Sequence, residues 1–368
     1  MRTLASAALL ALTAVLRSQT YVVDVQNGPG TNFTSIAAAV AAVPSGAVLD
    51  VRPGDYGRFT ITGKSLTVLC QPGVRAYDLF SPLLTIDSIP AGNTVLVHGL
   101  GVAAVSVLGL VRCSNSTGTI VLDSCRGDQT TSPIGGQLEI TNCASVLIRD
   151  SSFLSNVYLN VTMQVDRSNV AVSSSTFNNP SAPVVAASQS RLDFTDGRVI
   201  AGIQGPTIAL HQSHLDLRSG CFLTAALGQA AIVAGSGSVD LDPAVTLQNA
   251  SPQPFAPGIA LTTATQLWLA VTPGAPGGNA SGTLSGPGSV AALLLGAPGA
   301  PTAVPGLTHP SWLVPGSEIP LTIGSLPLSG GYAVPNAPWI QGVVLGWQGA
   351  AASAGTVRLS NPQGCGHY

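Results

Sequence analysis

Between Val146 and Val245 short apolar runs recur at a nearly constant interval: Val146-Leu-Ile148, Val170-Ala-Val172, Leu192-Asp-Phe194, Leu215-Asp-Leu217 and Val239-Asp-Leu241. Each leads into a turn-like tetrapeptide: Asp150-Ser-Ser-Phe153, Ser174-Ser-Thr-Phe177, Asp196-Gly-Arg-Val199, Ser219-Gly-Cys-Phe222 and Asp242-Pro-Ala-Val245. These begin 24, 22, 23 and 23 residues apart. Alternation with period two makes strands, and self-similarity at 20–50 residues marks a stacked repeat. Shorter runs fall once per interval: Leu138-Glu-Ile140, Met163-Gln-Val165, Val185-Ala-Ala187 and Ile208-Ala-Leu210. Upstream, Leu83 to Ile86, Thr94 to Val97 and Thr119 to Leu122 extend the series, with His98, Asp123 and Asp150 at equivalent strand ends. No helical period interrupts these repeats. The pattern predicts an all-β, right-handed parallel β-helix of eight to ten coils, about 40–50 Å long at the usual strand spacing.

A solenoid needs its first coil covered. Tyr21 to Val25 alternates like a strand, and Ile36, Ala39, Val40 and Val43 share one helical face, with Thr34 or Asn32 as N-cap. That helix is the predicted cap. Val23-Asp-Val-Gln-Asn-Gly-Pro-Gly30, Asn32-Phe-Thr-Ser-Ile-Ala-Ala-Ala-Val40 and Ala47-Val-Leu-Asp-Val-Arg-Pro-Gly-Asp-Tyr56 together resemble the entry of pectin lyase-like proteins. In that superfamily a strand, a capping helix and a V-x-P-G-x-Y turn lead into a right-handed parallel β-helix. The likeness covers about 45 residues closely and the following 200 through periodicity. It implies fold more than reaction, since many β-helix families share this entry.

Beyond Ala250 the composition shifts to Pro, Gly and Ala, with Leu267-Trp-Leu269 expected as one last coil. From Ser289 the period is lost. Runs at Val290–Leu295, Ile319–Leu326, Ile340–Trp347 and Thr356–Leu359 predict a small antiparallel β-sandwich. The block Trp339 to Gln348, with Leu359-Ser-Asn361, is similar to a C-terminal module recurrent on exported bacterial β-rich proteins. The expected organisation is a signal peptide at 1–20, a β-helix at 21–275, a linker at 276–288 and the sandwich-like module at 289–368.

The signal assignment rests on Arg2 followed by an apolar stretch from Leu4 to Leu16, too short to span a bilayer. An extracytoplasmic location is the resulting expectation, secreted or in the cell envelope, with no membrane span once the signal is removed. Its removal leaves 12 basic against 16 acidic residues, with one lysine, Lys64. No basic stripe exists for a nucleic-acid partner. Six cysteines in an export context permit disulfides among Cys113, Cys125 and Cys143, or equally a stack of buried thiols.

The candidate chemistry lies in the repeat. With flanking apolar residues inward, Asp193, Asp216 and Asp240 point outward and stack about 5 Å apart. Such neighbours repel by about 0.8 kcal/mol in water and about 3 kcal/mol at an effective dielectric of 20. Solvation or pairing with Arg191 and Arg218 makes the column tolerable. Partial shielding would instead favour a cation, and an all-oxygen set suits calcium. The resemblance to β-helix polyuronate lyases implies Arg191 or Arg218 as base or charge clamp, with Asp193, His214, Asp216 and Asp240 holding substrate. Asp150, Asp196 and Asp242, with Ser174 and Ser219, read as turn-capping residues.

Several family patterns are missing. Gly57-Arg58 comes after Tyr56 where pectin methylesterases carry an acid, the N-T-D, D-D and G-H-G stretches of polygalacturonases are absent, and no G-x-S-x-G elbow occurs. Sugar-stacking aromatics are limited to candidates such as Tyr158, Phe194 and Trp268. Two functions therefore stand: a protein that binds and cleaves an anionic polysaccharide or cell-surface glycan, and a non-catalytic envelope or surface structural or adhesion protein.

Overall fold

The computed structural model describes residues 19–78, 82–104, 110–128, 137–155, 161–180, 183–201, 205–248, 250–251, 253–353 and 355–368. Tyr158 and most of the expected signal segment lie outside these. The strand Thr20–Val23, which begins at the last residue assigned to that segment, pairs with Ala47–Val51.

The repeat builds a parallel β-solenoid of about nine turns. Each mature coil has three sides. One carries Leu138–Thr141, Met163–Asp166 and Val185–Ser188; the second carries Val146–Arg149, Asn169–Ser173 and Arg191–Thr195; the third carries Ser152–Leu154, Thr176–Asn179 and Arg198–Ala201. The inward positions stack into one core, in which Phe153 and Phe177 lie parallel with ring centroids 5.8 Å apart. Phe194, offered from sequence as a sugar platform, is fully inside this core.

The corners explain the turn residues. Ser124, Asp150, Ser174 and Asp196 adopt positive φ of 46–55° at one corner, and Asn115, Asn142, Arg167, Gln189 and Gln212 adopt 46–54° at another. Left-handed backbone costs about 1–2 kcal/mol for a residue with a Cβ, and the adjoining residue offsets that cost. At each of these corners except Asp196, which Gly197 follows, it is a buried Ser or Cys. Ser175 Oγ accepts from Ser151 N (3.1 Å), and Ser190 Oγ accepts from Ser168 N (3.1 Å), so each hydroxyl satisfies a corner N–H of the coil before it. Cys125 and Cys143 take the same place, their thiols facing the Asp123 and Thr141 carbonyls as the serine hydroxyls face theirs. All six cysteines are free and buried. Among the readings left open by sequence, the structure has buried thiols.

The helix Ile36–Ala42 caps the first coil; its N-cap is Ser35, whose Oγ accepts from Ala38 N, and not Thr34 or Asn32. The side-chain oxygen of Asn32 is already taken by Val22 N at 2.8 Å. The lone lysine, Lys64, donates to the carbonyls of Val40 and Val43 at the other end of the helix. The entry motif is likewise a hydrogen-bonded knot: Asp24 accepts from Gln26 N, Gly28 N and Arg52, and Tyr56 Oη donates to Arg52 O at 2.8 Å.

Two repeat equivalences differ from expectation. Asp123 pairs with His98 and Arg149, so Arg149, not Asp150, shares its rung. Val199 pairs with Leu223 rather than Phe222, because Gly220, at φ 84°, adds a residue to the turn. Phe222 turns outward beneath Arg198, whose guanidinium carbon lies 5.8 Å from the Phe222 ring centroid.

The last solenoid strand is Ile259–Thr263, parallel to Ile232–Leu241. Leu267-Trp-Leu269 is not a further coil: Trp268–Thr272 pairs antiparallel with Asn279–Ser285, inside the segment expected as a linker. Alternation alone does not distinguish a parallel from an antiparallel partner, and the Pro/Gly-rich 273–278 supplies the reversal. These strands join Leu328–Ala333 in a three-stranded sheet, facing five antiparallel strands: Val290–Gly296, Ile319–Gly324, Val344–Ser353, Thr356–Leu359 and Gln363–Gly366. Their core gathers Leu269, Leu284, Leu293 and Trp347. Gln348 and Asn361, from the block that resembles an exported module, staple this unit: Gln348 Oε1 accepts from Trp312 N (3.0 Å) and Asn361 Oδ1 from Leu269 N (2.7 Å).

Candidate functional site

The second unit sits on the second side of the solenoid. Outward positions on this side form one continuous column in register: Thr67, Leu96, Val121, Leu147, Ala171, Asp193, Asp216, Asp240 and Thr262. After Thr67 the column is at first apolar, and Leu96, Val121, Leu147 and Ala171 pack with Trp312 of the second unit in a third small core. Its last half is the acidic column. Asp193 and Asp216 are consequently buried rather than solvated, while Asp240 keeps 31% of its side chain exposed.

Burial of a carboxylate demands a partner, and each has one. Arg218 Nε donates to both oxygens of Asp193 (3.0 and 3.1 Å) and Nη2 to Oδ2 (2.8 Å). Its remaining Nη1 donates to the Leu267 carbonyl (2.9 Å), tying the pair to the second unit. Arg191 Nη2 donates to Asp216 Oδ2. His214 Nε2 lies 3.3 Å from that oxygen and 3.7 Å from Asp240 Oδ2, and His309 Nε2 approaches Asp216 Oδ1 at 3.8 Å. Burial alone would raise the Asp216 pKa; the His214 hydrogen bond, then Arg218 and Arg191, hold it well below the usual carboxylate range. Burial and the charge of Arg218 push the His309 imidazole below its ordinary value.

All six residues singled out from sequence therefore lie in one neighbourhood, as two subsets. Asp193 and Arg218 form a closed pair. His214, Asp216 and Asp240 converge, each offering one donor atom, all within 4.8 Å of one another. The three-aspartate oxygen set expected for calcium is not assembled, because Asp193 turns to Arg218. The expected turn residue Asp242 does accept from Ala244 N (2.8 Å), and its other oxygen accepts from Gln266 N (2.7 Å).

Sequence reasoning missed a second polar cluster on the neighbouring outward column. Tyr368 stacks on His98, centroids 3.7 Å apart, and its hydroxyl donates to buried Asp123 Oδ2 at 2.6 Å. Arg149 donates to Asp150 (2.9 Å) and to the Gly364 carbonyl (3.4 Å), and Ser173 Oγ donates to Gln363 (3.0 Å). Its signal was the run of non-apolar residues His98, Asp123, Arg149 and Ser173 at one rung position. Separately, a cleft of about 660 Å³ opens between the early coils and the second unit, lined by Ser65, Thr67, Asn93, Glu318, Trp339 and Gln341 among others.

No family model, curated protein or solved structure matches this chain.

Proposed function

We propose that the chain is a non-catalytic structural or adhesion protein of the cell surface or envelope, built on a β-helix of the pectin lyase-like kind. One observation carries this reading. Of the two arginines expected as base or charge clamp, Arg218 is 1% exposed and bonded to Asp193, itself 2% exposed, beneath the second unit, and Arg191 is held by the fully buried Asp216. A polysaccharide has no route to the Arg218–Asp193 pair, and an arginine bound to a buried carboxylate by charge-assisted hydrogen bonds is a poor base. The missing polygalacturonase and methylesterase patterns support the same conclusion. A glycan ligand retains one specific support, the cleft beside Trp339, whose half-buried ring and flanking hydroxyl and amide groups suit a sugar face.

The test is an assay of purified protein on polyuronates with and without Ca²⁺, following the absorbance of unsaturated products. The expected result is no product under either condition. Turnover that Arg218→Met abolishes while far-UV circular dichroism is unchanged would overturn the reading.

A further inference from the structure

The geometry points to a divalent transition-metal site, of the zinc class, formed by His214, Asp216 and Asp240 at the seam between the solenoid and the second unit. It stands independently of whether the chain is catalytic.

Donor spacing is the first support. From His214 Nε2 the Asp216 carboxylate, at 3.3 Å, is a long hydrogen bond and the Asp240 carboxylate, at 3.7 Å, is beyond one. Ligands about 2.1 Å from a tetrahedral ion stand about 3.4 Å apart. His214 is thus spaced from both carboxylates as from ligands that share an ion, and the three donor atoms lie within 4.8 Å of one another.

Unmet bonding capacity is the second. Asp216 is fully buried, Arg191 holds its Oδ2, and its Oδ1 accepts no hydrogen bond from the described residues. A buried carboxylate oxygen without a partner is costly. What faces it is the imidazole Nε2 of His309, at 3.8 Å, a further donor presented by the second unit.

Both imidazoles are also oriented for ligation. His214 Nδ1 is bonded to Ser238 Oγ at 2.7 Å and His309 Nδ1 to Thr308 Oγ1 at 3.0 Å, which leaves each Nε2 aimed at the carboxylates. Metal-binding histidines are held in this way by a partner on the other ring nitrogen. Charge agrees. Asp193 is neutralised by Arg218 and Asp216 by Arg191, while Asp240 has no guanidinium bonded to it among the described residues. A cleft of about 180 Å³ lined by Asp240, Thr308, His309 and Arg358 gives an entry path. Imidazole with carboxylate favours zinc or a neighbouring transition ion over calcium, which takes six to eight oxygens. The ion would pin the second unit to the last coils through His309.

The experiment uses the full chain, stripped with EDTA and dialysed. It is titrated with ZnCl₂ by calorimetry and with CoCl₂ by visible absorption. Expected are one ion per chain, a ligand-field band of low-coordinate Co²⁺, and a rise in melting temperature with Zn²⁺. His214→Gln and Asp240→Asn, both at part-exposed positions, should each remove the band with far-UV circular dichroism unchanged. Ser238→Ala should weaken binding by about tenfold. No stoichiometric heat and no band from the wild type would overturn the site, as would equal affinity in the His214→Gln/Asp240→Asn double variant. Unchanged affinity in His309→Ala would overturn the pinning role.

Discussion

Replacing Asp193 by alanine should be among the most damaging single changes on the outward surface of the solenoid. Arg218 would lose all three hydrogen bonds to the carboxylate and keep only the Leu267 carbonyl. With both side chains shielded from water, the variant strands an unpaired guanidinium in the seam. Breaking a buried pair by removing one partner costs about 3–5 kcal/mol, whereas removing both together is often near neutral. Asp193→Ala and Arg218→Met should therefore each cost about 3–5 kcal/mol, and the double variant much less than their sum. Urea denaturation read by two probes measures this. All four tryptophans, Trp268, Trp312, Trp339 and Trp347, belong to the second unit, so their fluorescence tracks that unit and its seat, while far-UV circular dichroism tracks the coils. In the wild type the two transitions should coincide; in Asp193→Ala the fluorescence transition should come first. A loss below about 1 kcal/mol in both single variants is what a hydrated surface pair gives. That result would refute the buried seam and restore an open acidic groove.

Two further predictions concern buried titratable groups. Burial alone would raise the pKa of Asp123, but His98, Arg149 and the Tyr368 hydroxyl hold it below its ordinary value; such a group contributes stability above the unfolded value, near 4, that is lost as pH falls through the folded one. The melting temperature should thus fall steeply below about pH 4, Asp123→Asn should flatten that fall, and an identical acid limb in the variant would refute the assignment. Burial pushes the Cys125 and Cys221 thiols up to about 12 and those of Cys143 and Cys365 up to about 11, so the native protein should resist alkylation at pH 8 and react at six thiols once unfolded. Fewer than six without reductant would show a disulfide.

The solenoid was legible because one physical constraint repeats: an inward residue at every second position and a turn at every corner. The corners were read as Asp and Ser capping their own backbone, which holds for Asp242. At Asp150, Ser174 and Asp196 the polar residue instead occupies left-handed backbone, and after Asp150 and Ser174 a buried serine hydroxyl satisfies a corner N–H of the coil before. The two explanations predict the same composition, so sequence does not separate them. The shift to Leu223 had a visible cause in Gly220, but one added residue hides inside a period that already varies. The candidate site was legible as a column and misread as a surface. Period two says which residues face outward; it does not say what covers them. The covering had left a trace in Val95-Leu-Val97, Ile120-Val-Leu122 and Val146-Leu-Ile148, where three successive apolar residues mark a strand buried on both faces. Asp193, Asp216 and Asp240 continue the middle position of those triplets.

That continuity assigns the charged rungs a task the apolar ones cannot perform. Leu96, Val121, Leu147 and Ala171 present Trp312 with similar surface at every rung, and rungs repeat about every 4.8 Å. Hydrophobic contact is non-directional, so through these apolar contacts alone a second unit displaced by one coil would lose little. The polar rungs differ from one another. A one-coil slip would place the Tyr368 hydroxyl opposite His98 or Arg149 instead of Asp123. It would also take the Leu267 carbonyl away from Arg218 and the Gly342 and Pro298 carbonyls away from Thr67 and Thr119. Each mismatch leaves a buried polar or charged group unpaired, at about 1–3 kcal/mol or more. The apolar column holds the second unit against the solenoid, and the polar contacts along the seam, Asp123, Thr67 and Thr119 as well as Arg218, set its register there. An acidic column with histidines beside it is, in this chain, first a seam between two units, and any ion it binds acts on that seam.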